Sequence, residues 1–206
     1  GDRVFGMVNF VGAGNAYAEY VAAPGAHLAK IPANISFVDA AASTLAALTA
    51  WQVLSGNVGD GDRVLIQGGS VGVGHFAIQV AKSMGAHVIT TSSGKNRDFT
   101  ISLGADEHID YQKEDFSEGL ADIDFVFDMF NGEILHNSVG VLRQGGRVTS
   151  IPTPDFTAKT KALAAEKKVG LAFHMVESNG ADMEIIGRML ESEILKPHVS
   201  QVYPFD

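Results

Sequence analysis

The sequence contains no cysteine, a single tryptophan and more acidic than basic residues. The absence of cysteine excludes disulfide bonds and thiolate metal ligands. The net charge of −9 argues against nucleic acid as the main partner. No apolar stretch reaches the roughly 18 residues that a membrane-spanning helix needs, so no membrane span is expected. The chain starts without methionine and without a signal-peptide pattern, which predicts a cytoplasmic location and a start internal to a longer chain.

Residues 63–85 predict a buried strand, a glycine-rich turn and an amphipathic helix in immediate succession. The apolar run Val64 to Ile66 is typical of a parallel strand that is buried on both faces. The turn at residues 68–74 is rich in glycine, so its backbone N–H groups can approach a phosphate at the start of the helix. Gly85 is expected to cap the helix at its C-terminus.

Strands and helices alternate over most of the chain. Ser36 and Asp39 are spaced as a capping box that opens an alanine-rich helix. We expect further helices at residues 97–103, 115–120 and 134–142, the last ended by Gly145-Gly146. The other predicted strands are Val4 to Val8, Tyr17 to Val21, His87 to Thr91, Glu107 to Tyr111, Asp124 to Phe130, Arg147 to Ile151 and Gly170 to Val176.

This alternation predicts an α/β fold with a parallel sheet and right-handed crossovers. Ligands of such sheets bind beyond the carboxyl ends of the strands. One crevice should therefore form from the loops that follow Gln67, Thr91, Tyr111, Met129 and Ile151.

Several segments together resemble a known family: GDRVFG, AYAEYV, AALTAWQVL, GDRVLIQGGSVGVGHFAIQVAK, GADEHIDY, GGRVTSI and LKPHV. The chain is similar to zinc-independent medium-chain dehydrogenases/reductases of the NADPH:quinone oxidoreductase type. The resemblance implies a Rossmann fold, a doubly wound parallel sheet, with remnants of a β-rich GroES-like catalytic domain. It predicts that catalytic domain at residues 1–32, a cofactor domain at 33–177 and a return segment at 178–206, with segments of the family absent at both ends.

The resemblance implies hydride transfer from NADPH to a quinone, an enone or a related small-molecule substrate. An NADPH-binding or structural protein with weak or no turnover, like the lens crystallins of this family, is the alternative. A methyltransferase that uses S-adenosylmethionine should carry an acid at the end of the second strand of the sheet, and none is found there. No catalytic acid can be named, and a homodimer is left open.

Cofactor choice follows from the end of that second strand. NAD-specific sites place a carboxylate there, which accepts hydrogen bonds from the ribose hydroxyls. The 2′-phosphate of NADPH instead needs hydrogen-bond donors and positive charge. Residues 91–97, TSSGKNR, offer hydroxyls and two cations with no acid, which favours NADPH. Solvation of an exposed loop is the other explanation for Lys95 and Arg97. The turn and the resemblance together predict these cofactor-binding residues: Thr49, Ser70, Val71, Gly72, Val73, Ser92, Lys95, Tyr111, Met129, Phe130, Ile151 and Phe173.

Three of these positions carry qualifications. Val71 stands where the family usually has glycine, and valine would be strained if the position required a positive φ. A second register, Gly72-x-Gly74-x-x-Ala77, also fits a dinucleotide motif but starts further into the helix. Phe130 stands where small residues are commoner and is expected to narrow the nicotinamide side. Thr49 is expected at the nicotinamide, but its hydroxyl could instead bond to its own helix.

A metal site is not expected. The histidines are dispersed, no pair has i,i+4 spacing and no cysteine is present. Asp124 and Asp128 lie on one face of a predicted strand, where a structural role is favoured over a carboxylate dyad.

Overall fold

The computed structural model describes residues 1–205. Its strands are β1 Val4–Gly6, β2 Leu28–Lys30, β3 Arg63–Ile66, β4 His87–Ser92, β5 Glu107–Asp110, β6 Ile123–Asp128, β7 Leu142–Ser150 and β8 Gly170–Phe173. Its helices are α1 Phe37–Ala42, α2 Leu45–Leu54, α3 Gly72–Ser83, α4 Arg97–Ser102, α5 Phe116–Gly119, α6 Gly132–Val141, α7 Ala158–Lys167 and α8 Gly180–Glu191. None of these helices is long and apolar enough to cross a membrane.

The chain forms two compact units. The first contains residues 1–52 together with the part of the described chain that follows Met175, and the second contains Val53–Met175. The sequence prediction assigned residues 33–52 to the cofactor domain, whereas here they group with α8. Trp51 Nε1 and Gln52 Nε2 donate hydrogen bonds to the Asp182 carboxylate at 3.1 and 2.9 Å. The domain boundaries expected from the resemblance stay a prediction.

The first unit is built on a two-stranded antiparallel sheet in which β1 pairs with β2. The predicted strand at residues 17–21 is wrong, because these residues form no strand and pair with no other segment of the described chain. Tyr17 and Tyr20 are 84% and 91% exposed, so the alternating pattern buries no face here. The capping box is confirmed: Ser36 Oγ accepts a hydrogen bond from Asp39 N at 3.0 Å and opens α1.

The second unit is a doubly wound α/β fold around a six-stranded parallel sheet. The strand order is β5-β4-β3-β6-β7-β8. From β3 the chain adds β4 and β5 toward one edge of the sheet, and then returns to the other side of β3 to add β6, β7 and β8 toward the opposite edge. One face packs on α6 and α7 through a cluster of buried apolar side chains that includes Leu65, Val126, Val139 and Ala164. The apolar run of β3 is fully buried, as predicted. The strand has β4 on one side and β6 on the other, and both faces of the sheet are covered at this place.

The end of α6 differs from the prediction. The helix stops at Val141, and Gly145-Gly146 lies inside the long strand β7 instead of capping a helix. The pairing of β7 with β6 is irregular at this place, and Gly145 has φ +81°. Glycine is needed at the irregularity, because a Cβ on Gly146 would lie 3.0 Å from three backbone carbonyl oxygens. By contrast, the glycines after α3 and α4 cap those helices with positive φ, as predicted.

Candidate functional site

The glycine-rich turn after β3 is fixed by side chains of the neighbouring strand. Thr91 Oγ1 accepts a hydrogen bond from Gly68 N at 3.0 Å and donates one to Gln67 Oε1 at 2.8 Å. Gln67 Nε2 in turn donates to Ser138 Oγ at 3.1 Å. All three side chains are buried, so each buried polar atom needs such a partner. The network holds Gly68 at φ +78°, a conformation that favours glycine.

Helix α3 starts directly after this turn, with Val71 at its N-cap. Val71 has φ −89° and ψ 173°, which is ordinary extended backbone. The position does not require a positive φ, so the condition under which valine would be strained is not met. The side chain provides no hydrogen bond to the helix start and is 42% exposed. The first N–H groups of α3 have no partners within the helix and favour an anion in front of them.

The turn also fits the backbone approach that a pyrophosphate requires. A Cβ on Gly74 would collide with the carbonyl oxygen of Gly68, and a Cβ on Gly69 would collide with Thr90 Oγ1. Both glycines let the turn pack closely against the helix and the sheet. A Cβ on Gly72 would meet no atom within 4 Å, so the first turn of α3 faces open space.

The end of β4 carries hydroxyls, an amide and a cation. Ser92 and Ser93 are buried, whereas Lys95 is exposed. Asn96 Nδ2 donates hydrogen bonds to Ser70 Oγ at 3.0 Å and Ser93 Oγ at 3.3 Å, and thereby ties this loop to the glycine turn. The loops that follow β3 and β4 thus form one connected wall.

The carboxylate of Asp110 lies near this loop, as do those of the exposed residues Glu114 and Asp115. Asp110 at the end of β5 accepts hydrogen bonds from the N–H groups of Gly94 and Gln112 and pairs with Lys113 Nζ at 3.4 Å. Although burial opposes its ionisation, these donors hold the pKa of Asp110 below its ordinary value. Asp110 therefore fixes the loop shape rather than offering a free carboxylate to a ribose.

A second contact between β4 and β5 involves histidine. The distance from Ser92 Oγ to His108 Nε2 is 2.8 Å, and His108 is half-buried. Burial, followed by the positive charge of Arg97, lowers the pKa of His108 from its ordinary value.

The loop after β6 is held by a buried acid. Asp128 is completely buried and accepts hydrogen bonds from Ser150 Oγ at 2.8 Å, Asn131 N at 3.2 Å and Phe130 N at 3.4 Å. Burial raises the pKa of Asp128 in spite of these donors. Asp124 lies near the other end of β6, where it binds Arg63 N and the Arg143 guanidinium. The two acids are four positions apart on an extended strand, which places their Cα atoms roughly 13 Å from each other, so they form no dyad.

These loops enclose a crevice of about 890 Å³ at the carboxyl ends of β3 to β6. Six of the predicted cofactor-binding residues line it: Ser70, Val71, Ser92, Lys95, Tyr111 and Phe130. Gly72 and Val73 form the adjoining first turn of α3. The structure thus brings the predicted phosphate turn and the predicted adenosine end together in one cavity.

Four predicted residues lie elsewhere. Met129, Ile151 and Phe173 are half-buried at the carboxyl ends of β6, β7 and β8, along the same edge of the sheet but outside the lining of the crevice. Thr49 belongs to the first unit, and its hydroxyl donates a hydrogen bond to Leu45 O at 2.8 Å, as the alternative interpretation expected. The binding roles of all four stay predictions.

Sequence reasoning missed several residues that shape the site. Gln67, Thr91 and Asn96 organise the turn through side-chain hydrogen bonds, and residues 112–116 extend the crevice beyond Tyr111. Their position directly after predicted strands was the available signal, because the loops at the carboxyl ends of parallel strands form the ligand site.

Residue types that bind metals do not cluster in the part of the chain that the structure describes. The chain has no cysteine, and no three histidine, aspartate or glutamate side chains of residues 1–205 come together to hold a metal. Four histidines instead contact protein groups: His75 contacts Val71 O, His87 contacts Glu107, His108 contacts Ser92, and His136 contacts Thr160.

The crevice lies at the switch point of a doubly wound sheet, which is the place where proteins of this class bind their ligands. The model of the family described as "Zinc-binding dehydrogenase" matches residues 103–206. The chain therefore belongs to the zinc-binding dehydrogenase family, and its motifs place it with the medium-chain dehydrogenases/reductases of quinone oxidoreductase type.

Three similar proteins carry related names. The trans-enoyl reductase pgmF of Aspergillus terreus is 31% identical over 98% of this chain and 62% of its own length. The 2-methylene-furan-3-one reductase of Solanum lycopersicum is 35% identical over 91% of this chain and 46% of its own. The structure of the quinone oxidoreductase from Coxiella burnetii superposes with a TM-score of 0.90, at 33% identity, over 100% of this chain and 65% of its own. The chain thus spans less than two thirds of the length of these relatives.

Proposed function

We propose that the chain carries the cofactor site of an NADPH-dependent, zinc-independent oxidoreductase that reduces a quinone, an enone or a related small molecule. The observation that carries this proposal is the crevice itself. It joins an open helix N-terminus, the buried hydroxyls of Ser92 and Ser93, and Lys95. The nearby carboxylate of Asp110 is already engaged, and the two acids of the lining, Glu114 and Asp115, are exposed. This donor set suits a phosphate better than it suits a ribose hydroxyl.

Each part of the crevice has a role in this proposal. The first turn of α3 would hold the pyrophosphate with backbone N–H groups, and Gly72 leaves space for it. Ser92, Lys95 and Tyr111 would hold the 2′-phosphate and adenosine. Met129, Ile151, Phe173 and Thr49 would contact the nicotinamide end. The ring of Phe130, which covers Gly68, would border the phosphate turn.

When bound, the nicotinamide supplies the hydride for the reduction of an electron-poor double bond or a quinone. The task of the protein is to bind, orient and exclude water, so the site needs little acid or base machinery. The names of the enoyl and enone reductases among the relatives support this substrate class. The cytoplasmic location and a homodimer stay predictions.

Titration with NADPH and NADH tests the proposal. We expect about tenfold tighter binding of NADPH, and we expect Lys95→Ala to remove most of that ratio, since one charge-assisted contact contributes roughly 1 to 2 kcal/mol. Lys159→Ala is the matched control, because this exposed lysine pairs with Glu133 and does not line the crevice. Equal affinities for the two cofactors would contradict the proposal.

An activity assay separates the enzyme from the binding protein. Steady-state reduction of 1,4-benzoquinone or of an enone with NADPH supports an oxidoreductase. NADPH preference without turnover would favour the alternative of a binding or structural protein.

A further inference from the structure

The contact between Ser92 and His108 ties the predicted 2′-phosphate site to a titratable group. Ser92 Oγ lies 2.8 Å from His108 Nε2 and 3.2 Å from the carbonyl oxygen of Ser93. A hydroxyl has one proton to donate. If neutral His108 accepts at Nε2, Ser92 gives that proton to the imidazole and cannot donate it to a ligand.

Protonation of His108 reverses this hydrogen bond. Both nitrogens of an imidazolium are donors, so Nε2–H then donates to Ser92 Oγ. The hydroxyl is thereby released from the imidazole and can point its proton at a phosphate oxygen in the crevice. The added positive charge also favours a dianion at this place.

The charges around His108 set its titration. On its own strand and in the following loop, Asp110 and Glu114 favour the charged form, whereas Arg97 at the start of α4 disfavours it. Facing it from β4 is the neutral hydroxyl of Ser92. Because burial and Arg97 dominate, the pKa of His108 lies below its ordinary value in the free protein. A phosphate dianion beside Ser92 adds a negative neighbour and shifts the pKa upward.

We propose that His108 is a positioning residue that couples the binding of a 2′-phosphate at Ser92 to the uptake of a proton. This inference rests on the proposed NADPH site, but it concerns a residue outside the crevice lining that acts through Ser92. It deepens the proposed function by making the preference for NADPH over NADH depend on pH.

The sign of the effect follows from linkage. A group whose pKa is higher in the bound than in the free state strengthens binding below its free pKa, and this gain is lost as pH rises through the bound pKa. The NADPH/NADH affinity ratio should therefore be largest below the lowered pKa of His108 in the free protein and fall severalfold as pH rises through its higher pKa in the complex. The phosphate itself titrates near pH 6, which affects wild type and variants equally.

Proton uptake can be measured directly by isothermal titration calorimetry in two buffers with different ionisation enthalpies. We expect wild type at pH 7 to take up a larger fraction of a proton with NADPH than with NADH. His108→Gln keeps a permanent donor near Ser92 and should retain part of the preference but lose the difference in proton uptake. His87→Gln is the control, since His87 contacts Glu107 instead; it should behave as wild type.

A second measurement needs no variant. In NMR titrations of the wild-type protein, adenosine 2′,5′-bisphosphate should raise the pKa of His108, whereas 5′-AMP should leave it unchanged. An unchanged pKa, or identical proton uptake with NADPH and NADH, overturns the coupling.

The outcomes separate this inference from the proposed function. If wild type prefers NADPH but His108→Gln shows the same pH dependence of the affinity ratio, the coupling is wrong and the NADPH site stands. If wild type binds NADH and NADPH equally, the proposed cofactor preference itself fails.

Discussion

The aromatic ring of Phe130 lies directly over Gly68, so that a Cβ on this glycine would sit 2.8 Å from Phe130 Cζ. The ring thus covers the glycine turn at the carboxyl ends of the paired strands β3 and β6. Asp128 fixes the backbone beneath it by accepting hydrogen bonds from the N–H groups of Phe130 and Asn131. The narrowing that we expected from Phe130 at the nicotinamide side stays a prediction. In the structure the ring covers the glycine turn.

Phe130→Ala should therefore tighten NADPH binding. In wild type the ring must leave Gly68 before a ligand can approach the turn, and the loss of this packing opposes binding by roughly 1 kcal/mol. The alanine variant has no such packing to lose, so it should bind about fivefold more tightly. The measurement is the dissociation constant from fluorescence titration. Phe130→Leu should give an intermediate value. Weaker binding by the alanine variant would mean instead that the ring packs on the cofactor.

Val71→Ser should stabilise the fold. Valine is a poor N-cap residue and provides no side-chain hydrogen bond to α3, whereas a serine hydroxyl can accept one from the first turn. We expect an increase of about 1 kcal/mol in the free energy of unfolding, measured by urea denaturation. Val71→Ala is the matched control, because it also removes the γ-methyl groups but adds no cap. Equal stability of the two variants would contradict the capping argument.

The two acids of β6 should respond oppositely to pH. Although burial opposes ionisation of Asp124, Arg63 N and the Arg143 guanidinium lower its pKa, so its contribution to stability is lost as pH falls through that value. Burial raises the pKa of Asp128, so its contribution grows as pH falls through that value.

Stability measured by urea unfolding between about pH 6 and 3 tests this pair. Asp124→Asn should lose less stability on acidification than wild type, whereas Asp128→Asn should lose more. Asp98→Asn is the control, because that side chain is fully exposed at 100%. If stability depends on pH in the same way in the two variants, then the hydrogen bonds and the burial of Asp124 and Asp128 do not shift their pKa values in opposite directions.

The parts of the fold that sequence patterns predicted correctly depend on local rules. The turn between β3 and α3 and the capping box of Ser36 combine residue types whose effects act within a few positions. The six-stranded sheet followed from the alternation of strands and helices. Tyr17 to Val21 shows the limit of a local pattern, because an alternating segment becomes a strand only where a partner strand is present.

The details of the site depended on contacts that no local pattern contains. The bond between Ser92 and His108 follows from the register of two separate strands, in which Thr90 lies opposite His108 and Ser92 lies opposite Asp110. The position of Phe130 over Gly68 likewise depends on how two loops meet across the sheet. The extended conformation of Val71 could not be deduced from a comparison with a glycine motif, because glycine tolerates conformations that valine avoids.

The strand order also governs the timing of folding during synthesis. The central strand β3 obtains its partner on one side from β4, but its partner on the other side only when Phe127 arrives opposite Ile66. About 60 residues separate these positions, so at roughly 5 to 20 residues per second the nascent chain leaves one edge of this central strand open for roughly 3 to 12 seconds. Until β6 leaves the ribosome, that edge is a surface on which a chaperone, or another nascent chain, can act.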